Sequence, residues 1–220
     1  MSTQNPSAAT DVSQKASQSS RLGTRYSRGE ATRERILTVA WGAFAERGFR
    51  GASVNDIAKN AGVTMPGLLH HFPTKSDLFS AVLDAREAQD TSRWMAMLSE
   101  EPTAFEVLDA FVAMARINAD RYQFVQLTHL NSAESAPGDH PGSEFVKRHY
   151  RFTRDVLHDA FARGMDAGEI RKDIDPTVFA LRVVAMIEGL ENQWLHDRDG
   201  FDLASVFEGW VAELKRSLVP

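Results

Sequence analysis

The chain has 220 residues, 43% of them hydrophobic, which is enough for a small domain and a larger one, each with a buried core. It contains no cysteine, which excludes disulfide bonds and thiolate metal sites, and its net charge of −5 argues against a uniformly basic nucleic-acid-binding surface. Because the chain has neither a secretory signal nor a run of about 18 apolar residues, we expect a cytoplasmic protein that does not enter the membrane.

Residues 1–24 are rich in Ser, Gln, Thr and Ala and have almost no large apolar side chains. Such a segment cannot bury enough surface to offset its chain entropy, so we predict a disordered tail. The basic residues that follow, Arg25 and Arg28, could reach DNA as part of a flexible arm. A solvated tail without a specific partner is the alternative.

A first helix is predicted over residues 30–46, where apolar residues recur every three or four positions. Gly48 follows it and suits a left-handed C-terminal cap. A second helix begins after Ser53, whose spacing to Asp56 is that of a capping box. Gly62 then ends this helix.

A third, short helix begins with Thr64 as its N-cap and ends before Pro73. Thr74 and Asp77 have the spacing of another capping box, which opens a fourth helix. The fourth helix carries an apolar stripe and joins the two parts of the chain. The stripe consists of Leu78, Phe79, Val82 and Leu83.

Positive charge concentrates around these helices. Between residues 21 and 75 there are nine Lys or Arg and four Asp or Glu, and the remainder of the chain is acidic. Two short helices joined by a tight turn inside a basic region indicate a helix-turn-helix, whose second helix enters the major groove. A plain helical hairpin would give the same pattern.

Several motifs follow one another without gaps over residues 30–85: RERIL (33–37), ERGF (46–49), SVNDIA (53–58), AGV (61–63) and LHHFPTK (69–75). Together they resemble the DNA-binding domain of the tetracycline-repressor (TetR) family. The resemblance implies an all-α fold of about nine helices and a ligand that changes the separation of two DNA-binding domains. We expect a DNA-binding domain over 25–85, with the helix-turn-helix at 53–72, and a ligand-sensing and dimerisation domain over 86–220.

The resemblance also implies which residues contact DNA. The second helix and Lys75 meet phosphates, and the third helix is the recognition helix. The tyrosine that is frequent there is Leu69 in this chain, so its phosphate hydrogen bond is not expected. Base reading would then rest on thymine methyl groups, backbone groups, His70 and DNA shape. The expected DNA-binding residues are Arg25, Arg28, Ser53, Asn55, Thr64, Met65, Gly67, Leu68, His70 and Lys75.

The chain after residue 103 is predicted to be helical over 103–119, 121–134, 143–167, 176–195 and 203–218. The last two helices carry more than one apolar stripe, and such helices need partners on two sides. We expect a second copy to supply one partner in a two-fold four-helix interface, although burial within one chain would also fit. The candidate interface residues are Phe179, Val183, Ile187, Leu190, Val206, Phe207, Trp210, Val211 and Leu214.

A ligand cavity is expected in the same domain, lined by apolar and aromatic side chains and by His129, its one polar member. Such a wall suits a hydrophobic or aromatic ligand, although the same residues would also make an ordinary core. The candidate residues are Trp94, Met97, Phe111, Met114, Phe124, Leu127, His129, Phe152, Phe161, Met165, Met186 and Trp194.

No pattern indicates catalysis or metal binding: there is no nucleophile elbow, phosphate-cradling loop or HExxH motif. We therefore expect no enzyme, no cofactor and no metal. The leading hypothesis is a homodimeric repressor, nucleoid-associated when bound to DNA, that leaves a palindromic operator when a small ligand binds. A second hypothesis replaces the ligand with a protein partner. A third, a helical enzyme or carrier, conflicts with the intact DNA-binding motifs.

Overall fold

The computed structural model describes the backbone of residues 7–136 and 139–220, and their side chains from residue 29 onward. These residues form nine α-helices and no strand, which confirms the all-α prediction. The helices are α1 (Ser7–Gly51), α2 (Val54–Asn60), α3 (Met65–His71), α4 (Lys75–Met97), α5 (Ala104–Ala119), α6 (Tyr122–Ser135), α7 (Ser143–Asp166), α8 (Pro176–His196) and α9 (Leu203–Leu218).

The first helix is longer than the sequence predicts, because the backbone of residues 7–24 belongs to α1. Between Pro6 and Gly23 the chain contains neither proline nor glycine, and Ala, Gln and Lys favour helix, so local propensity permits this extension. Residues 1–6 of the predicted tail lie outside the described residues.

Gly48 interrupts α1 with φ 67° and ψ 178°. The positive φ agrees with the prediction, but this ψ lies in a region that essentially only glycine occupies, rather than in the left-handed helical region of a simple cap. The chain therefore turns sharply at Gly48 before it reaches α2.

Helices α1 to α4 enclose a first hydrophobic core, in which Phe44, Ile57, Leu68 and Phe79 are completely buried. Leu127 of α6 is buried in the same core. Because α6 also packs along α1, the C-terminal part of the chain contributes directly to the core of the N-terminal helices.

A second core fills the space between α5, α7, α8 and α9, with Leu108, Phe161, Val183 and Phe207 completely buried. Helix α4 connects the two cores, since Phe79 lies in the first and Trp94 lies in the second. Its 23 residues span about 34 Å at 1.5 Å per residue. One continuous helix thus contributes side chains to both cores.

Candidate DNA-binding surface and ligand cavity

The N-terminus of α2 is fixed by Ser53, whose hydroxyl oxygen accepts a hydrogen bond from the backbone N–H of Asp56 at 3.3 Å. The second bond of the predicted capping box is absent, because the Asp56 carboxylate lies 3.7 Å from Nη1 of Arg47 instead. This cap leaves Asn55 exposed at the start of α2.

The N-terminus of α3 is fixed in the same way by Thr64, whose Oγ1 accepts from the backbone N–H of Gly67 at 3.2 Å. Pro66 occupies the first turn, where its missing donor has no intrahelical partner to lose. Thr64, Pro66, Leu69 and His70 are exposed, and they form the outer face of the predicted recognition helix.

The inner face of α3 corrects the sequence prediction. Leu68 is completely buried in the first core, so the prediction that it contacts DNA is wrong. Met65 is partly buried against the same core. Met65, Leu68 and Phe72 are spaced by three and four residues, and this stripe could have identified the inward face. Pro66 and Leu69, which were not among the candidates, lie on the outer face instead.

Lys75 stands at the start of α4, next to the kink that ends α1. Its Nζ donates a hydrogen bond to the backbone oxygen of Arg50 at 3.2 Å and lies 5.0 Å from the centre of the Phe49 ring. These contacts hold the ammonium group against the C-terminal end of α1. The side chains of Arg25 and Arg28 lie outside the described residues.

A cavity of about 350 Å³ lies between α4, α5, α6, α7 and α8. Five of the twelve candidate residues line it: Trp94, Phe111, Met114, Phe124 and Phe152. The rings of Trp94 and Phe111 meet edge to face with their centres 4.6 Å apart. Phe152 is 45% exposed, so it stands where the cavity meets solvent.

The other seven candidates do not line the cavity. Leu127 lies in the first core, Phe161 lies in the second, and Met97 is exposed. Helical spacing identified these residues as inward-facing, but it could not show which side chains each of them contacts. The seven are Met97, Leu127, His129, Phe161, Met165, Met186 and Trp194.

Sequence analysis missed the four acidic residues on the wall, Glu87 and Asp90 of α4 and Glu188 and Glu191 of α8. The hydroxyl of Tyr150 donates a hydrogen bond to Oε2 of Glu188 at 2.8 Å. Oε1 of Glu191 accepts a hydrogen bond from Nδ2 of Asn118 at 3.1 Å. Its other oxygen lies 3.2 Å from Nε2 of His129. The signal was present, because Glu188 and Glu191 are the two acidic residues of the largely apolar helix α8, three positions apart on one face.

Burial and neighbouring groups shift the pKa values of three side chains in this group. Burial raises the pKa of Glu188, and the Tyr150 hydrogen bond offsets part of that effect. Burial lowers the pKa of His129, but the Glu191 hydrogen bond and the neighbouring carboxylates outweigh it, so the pKa is raised. Burial is also the main cause that raises the pKa of Tyr150 to about 12, so its hydroxyl stays a donor at neutral pH.

The opposite wall of the cavity, on α4, carries a charged network. Asp90 lies 3.7 Å from Nε of Arg86 and 3.0 Å from Nη1 of Arg121. The Arg86 guanidinium is also stacked over the rings of Trp41 and Phe124, at 5.0 and 4.5 Å. This network ties α4 to α1 and α6 beside the cavity.

Four of the nine candidate interface residues, Val183, Phe207, Val211 and Leu214, are at most 9% exposed within one chain. These four side chains build the second core and offer little surface to a second copy. Phe179, Ile187, Leu190 and Trp210 are partly buried against the cores, and Val206 is 44% exposed. The outer face also includes Val178 and Leu181 of α8, which the sequence analysis did not select.

Within the described part of the chain, no helix is long and apolar enough to cross a membrane. The same residues contain no cluster of three or more His, Cys, Asp or Glu side chains that could hold a metal ion.

Comparison with known proteins gives two family matches. Residues 36–82 match the model of bacterial regulatory proteins of the tetR family, and residues 128–216 match that of the C-terminal domain of BetI-type transcriptional repressors. The chain is also 30% identical over 189 residues to the helix-turn-helix transcriptional repressor BepR of Brucella suis, with 81% of this chain and 88% of BepR covered.

Solved structures share the fold. A TetR transcriptional regulator from Chloroflexus aurantiacus superposes with a TM-score of 0.73 at 24% identity, covering 86% of this chain and 94% of that one. The regulator FadR of Bacillus subtilis, solved in complex with stearoyl-CoA, gives 0.72 at 20% identity and covers 84% of this chain and 98% of its own.

Proposed function

This chain belongs to the TetR family of bacterial transcriptional regulators, and from that premise we propose that it is a homodimeric repressor that a small ligand releases from a palindromic operator. The ligand occupies the cavity between α4 and α8 and is largely apolar, like most of the wall that surrounds it. The family and its relatives are regulators of transcription and not enzymes.

In this proposal the outer face of α3 enters the major groove. Thr64, Pro66, Leu69 and His70 are the exposed side chains available for base contact. Lys75 and the capped N-terminus of α2, with Ser53 and Asn55, meet the phosphate backbone. These contacts supply much of the affinity, which therefore falls as salt concentration rises.

The homodimer forms through the outer faces of α8 and α9. Leu181 and Val206 are exposed in a single chain, and a second copy would remove both from water. Two linked DNA-binding domains bind a two-fold symmetric site much more strongly than one does.

Helix α4 carries the signal, and its double role is the observation on which this proposal depends. Phe79 and Leu83 pack in the core of the DNA-binding domain, whereas Arg86, Thr91 and Trp94 line the cavity on the same helix. A ligand that favours another position of α4 moves the DNA-binding domains away from the spacing of about 34–36 Å that successive major grooves require.

Affinity selection of random-sequence duplexes at physiological salt tests the DNA part. An enriched inverted repeat is expected, and weak binding without enrichment would contradict sequence-specific repression. Titration of a chemically diverse panel of small molecules against the selected complex then tests release. If no compound of any charge releases the operator, control by a protein partner becomes the better explanation.

A further inference from the structure

We propose that the effector is a cation: a molecule with one positive charge next to an apolar or aromatic group, whose charge lies against Glu188. This inference rests on the proposed function, because it assigns a chemical class to the ligand of the same cavity. It follows from the pairing of the charges that line the wall.

The wall includes four carboxylates and two guanidinium groups. Asp90 is paired with Arg86 at 3.7 Å, and Glu87 is paired with Arg148 at 2.8 Å. Each guanidinium group of the wall thus lies beside a carboxylate, and Asp90 is shared with Arg93 and Arg121. The two carboxylates that remain are Glu188 and Glu191 of α8. Among the described residues, neither has a lysine or arginine nitrogen within 4.0 Å.

The two remaining carboxylates are not equivalent. Glu191 lies 3.2 Å from Nε2 of His129, whose raised pKa favours the charged imidazolium, and it accepts a second hydrogen bond from Asn118. Glu188 receives one hydrogen bond, from the neutral hydroxyl of Tyr150. Glu188 is therefore the carboxylate without a cationic side chain in direct contact.

A partly buried carboxylate without a counter-charge is unfavourable, and burial correspondingly raises the pKa of Glu188. His129 and His149 are the titratable bases close enough to act on it, and both lower that pKa only in part. A cationic ligand supplies the missing charge inside the cavity, where the attraction is less screened than in water.

The remainder of the wall suits an organic cation rather than a hydrated metal ion. Trp94, Phe111, Phe124 and Phe152 contribute aromatic rings, whose faces attract ammonium and guanidinium groups. Oδ1 of Asn118 is a buried acceptor without a hydrogen-bond partner in the same wall, so it can take a donor from the ligand.

An anionic ligand is the main competitor, because Nε of Arg86 is buried without a hydrogen-bond partner. Arg86 nevertheless lies beside Asp90, which it shares with Arg93 and Arg121. Its guanidinium is also stacked on aromatic rings of α1 and α6. An anion at Arg86 would compete with Asp90 for the same guanidinium, whereas a cation at Glu188 competes with no lysine or arginine.

Three probes of similar shape and different charge test the proposal on the full-length protein. They are benzyltrimethylammonium, the neutral N,N-dimethyl-2-phenylacetamide and the anion phenylacetate, each titrated by calorimetry at pH 7.5. We expect the cation to bind at least about tenfold more tightly than the neutral amide, as for an interaction with a charged partner. Phenylacetate should bind more weakly still.

Variants separate the role of Glu188 from a general effect on folding. Glu188→Gln should weaken binding of the cation about tenfold and leave the affinity for the amide unchanged. Glutamine keeps the shape of the side chain and the acceptor for Tyr150 but removes the charge. Glu100→Gln, at an exposed position outside the cavity, is the matched control and should change neither affinity.

Tighter binding of the amide or of phenylacetate, or no binding of the cation up to about 5 mM, would overturn the cation assignment. An equal loss of affinity for the cation and for the amide in Glu188→Gln would also overturn it. The proposed function would survive these outcomes, since it fails only when no inverted repeat is enriched or when no compound of any charge releases the operator.

Discussion

The side chain of Glu134 accepts a hydrogen bond from the backbone N–H of Phe49 at 3.1 Å, and this bond joins α6 to the kink that ends α1. The bond crosses 85 residues of sequence. It satisfies a donor that the break at Gly48 would otherwise leave without a partner. Phe49 also contacts Lys75, a candidate phosphate contact. Glu134 of the C-terminal domain is therefore connected to Lys75 through Phe49.

His140 completes this junction from the α6–α7 loop. Its ring stands edge-on to Phe49 and Phe79, at 5.0 and 5.5 Å between ring centres. Nδ1 accepts the backbone N–H of Gly142 at 3.1 Å, which places the proton of the neutral ring on Nε2, the nitrogen facing Glu134. Burial lowers the pKa of His140, in keeping with a neutral ring. The junction is thus a second connection between the domains, beside α4.

Replacing Gly48 with alanine should destabilise the protein by about 2 kcal/mol or more, because alanine strains at a φ of 67° with a ψ of 178°. The new Cβ would also lie 2.8 Å from Oε1 of Glu134. Urea denaturation followed by circular dichroism measures the change. Gly42→Ala is the control in the same helix: no atom lies within 4 Å of its added Cβ, and a gain of about 0.5–1 kcal/mol is expected. Equal effects of the two substitutions would contradict this account of the kink.

Truncation of Glu134 should cost about 1 kcal/mol of stability, since Glu134→Ala leaves the Phe49 N–H without its acceptor. Glu134→Gln keeps a carbonyl oxygen at the same position and should recover most of that loss. Denaturation midpoints of the two variants give the comparison. If glutamine is no better than alanine, the charge of Glu134 and not its hydrogen bond holds the junction.

The elements of the DNA-binding domain are predictable because their signals are local. The capping spacing of Thr74 and Asp77, the N-cap Thr64 and the glycine at Gly62 all act within one turn of chain. The half-formed box at Ser53 shows the limit of such signals, because Asp56 finds a partner in Arg47 that its spacing to Ser53 does not reveal.

The cavity was less predictable because its wall is made by five helices. Leu127 and Phe161 have the same apolar character as Phe111 and Phe124, and helical spacing marks all four as inward-facing. Leu127 lies in the first core because α6 packs against α1, and this packing is not visible in the sequence. A polar signal is more informative in such a helix, since an acidic side chain on an apolar stripe, as at Glu188, needs a special reason to be there.

Replacing Lys75 with alanine should weaken binding to all DNA sequences and reduce the slope of log affinity against log salt by about one, as expected for the loss of one phosphate contact. Fluorescence anisotropy at several salt concentrations measures the slope. Lys215→Ala is the control, because that ammonium group is paired with Asp109 at 2.6 Å on the C-terminal domain. An unchanged slope in Lys75→Ala would remove this residue from the interface.

Leu181→Arg should raise the dimer dissociation constant about 100-fold or more, because it places a charge in the centre of an apolar contact between two copies. Leu181 is 46% exposed in the single chain, so the substitution should leave the monomer folded. Sedimentation velocity across a concentration series gives the association state. Met95→Arg, at a methionine of α4 that is 64% exposed, tests whether any added surface arginine has the effect. A fully dimeric Leu181→Arg protein would move the interface away from this face of α8.

Glu188→Gln should make the ligand-free protein more stable at pH 7 to 8, although it removes the proposed ligand contact. Burial raises the pKa of Glu188 in the folded state above its ordinary value of 4.5. A raised pKa means that the folded protein favours the protonated carboxyl, so this group's contribution to stability is present below pH 4.5 and is lost as pH rises through the folded pKa. Glutamine resembles the protonated form at every pH.

The stability difference between variant and wild type should therefore be largest at neutral pH and should shrink as the pH falls towards 4.5. Thermal denaturation across this range measures it, with Glu100→Gln as the exposed control. A difference that is absent, or that does not change with pH, would mean that Glu188 already has a counter-charge in the ligand-free cavity.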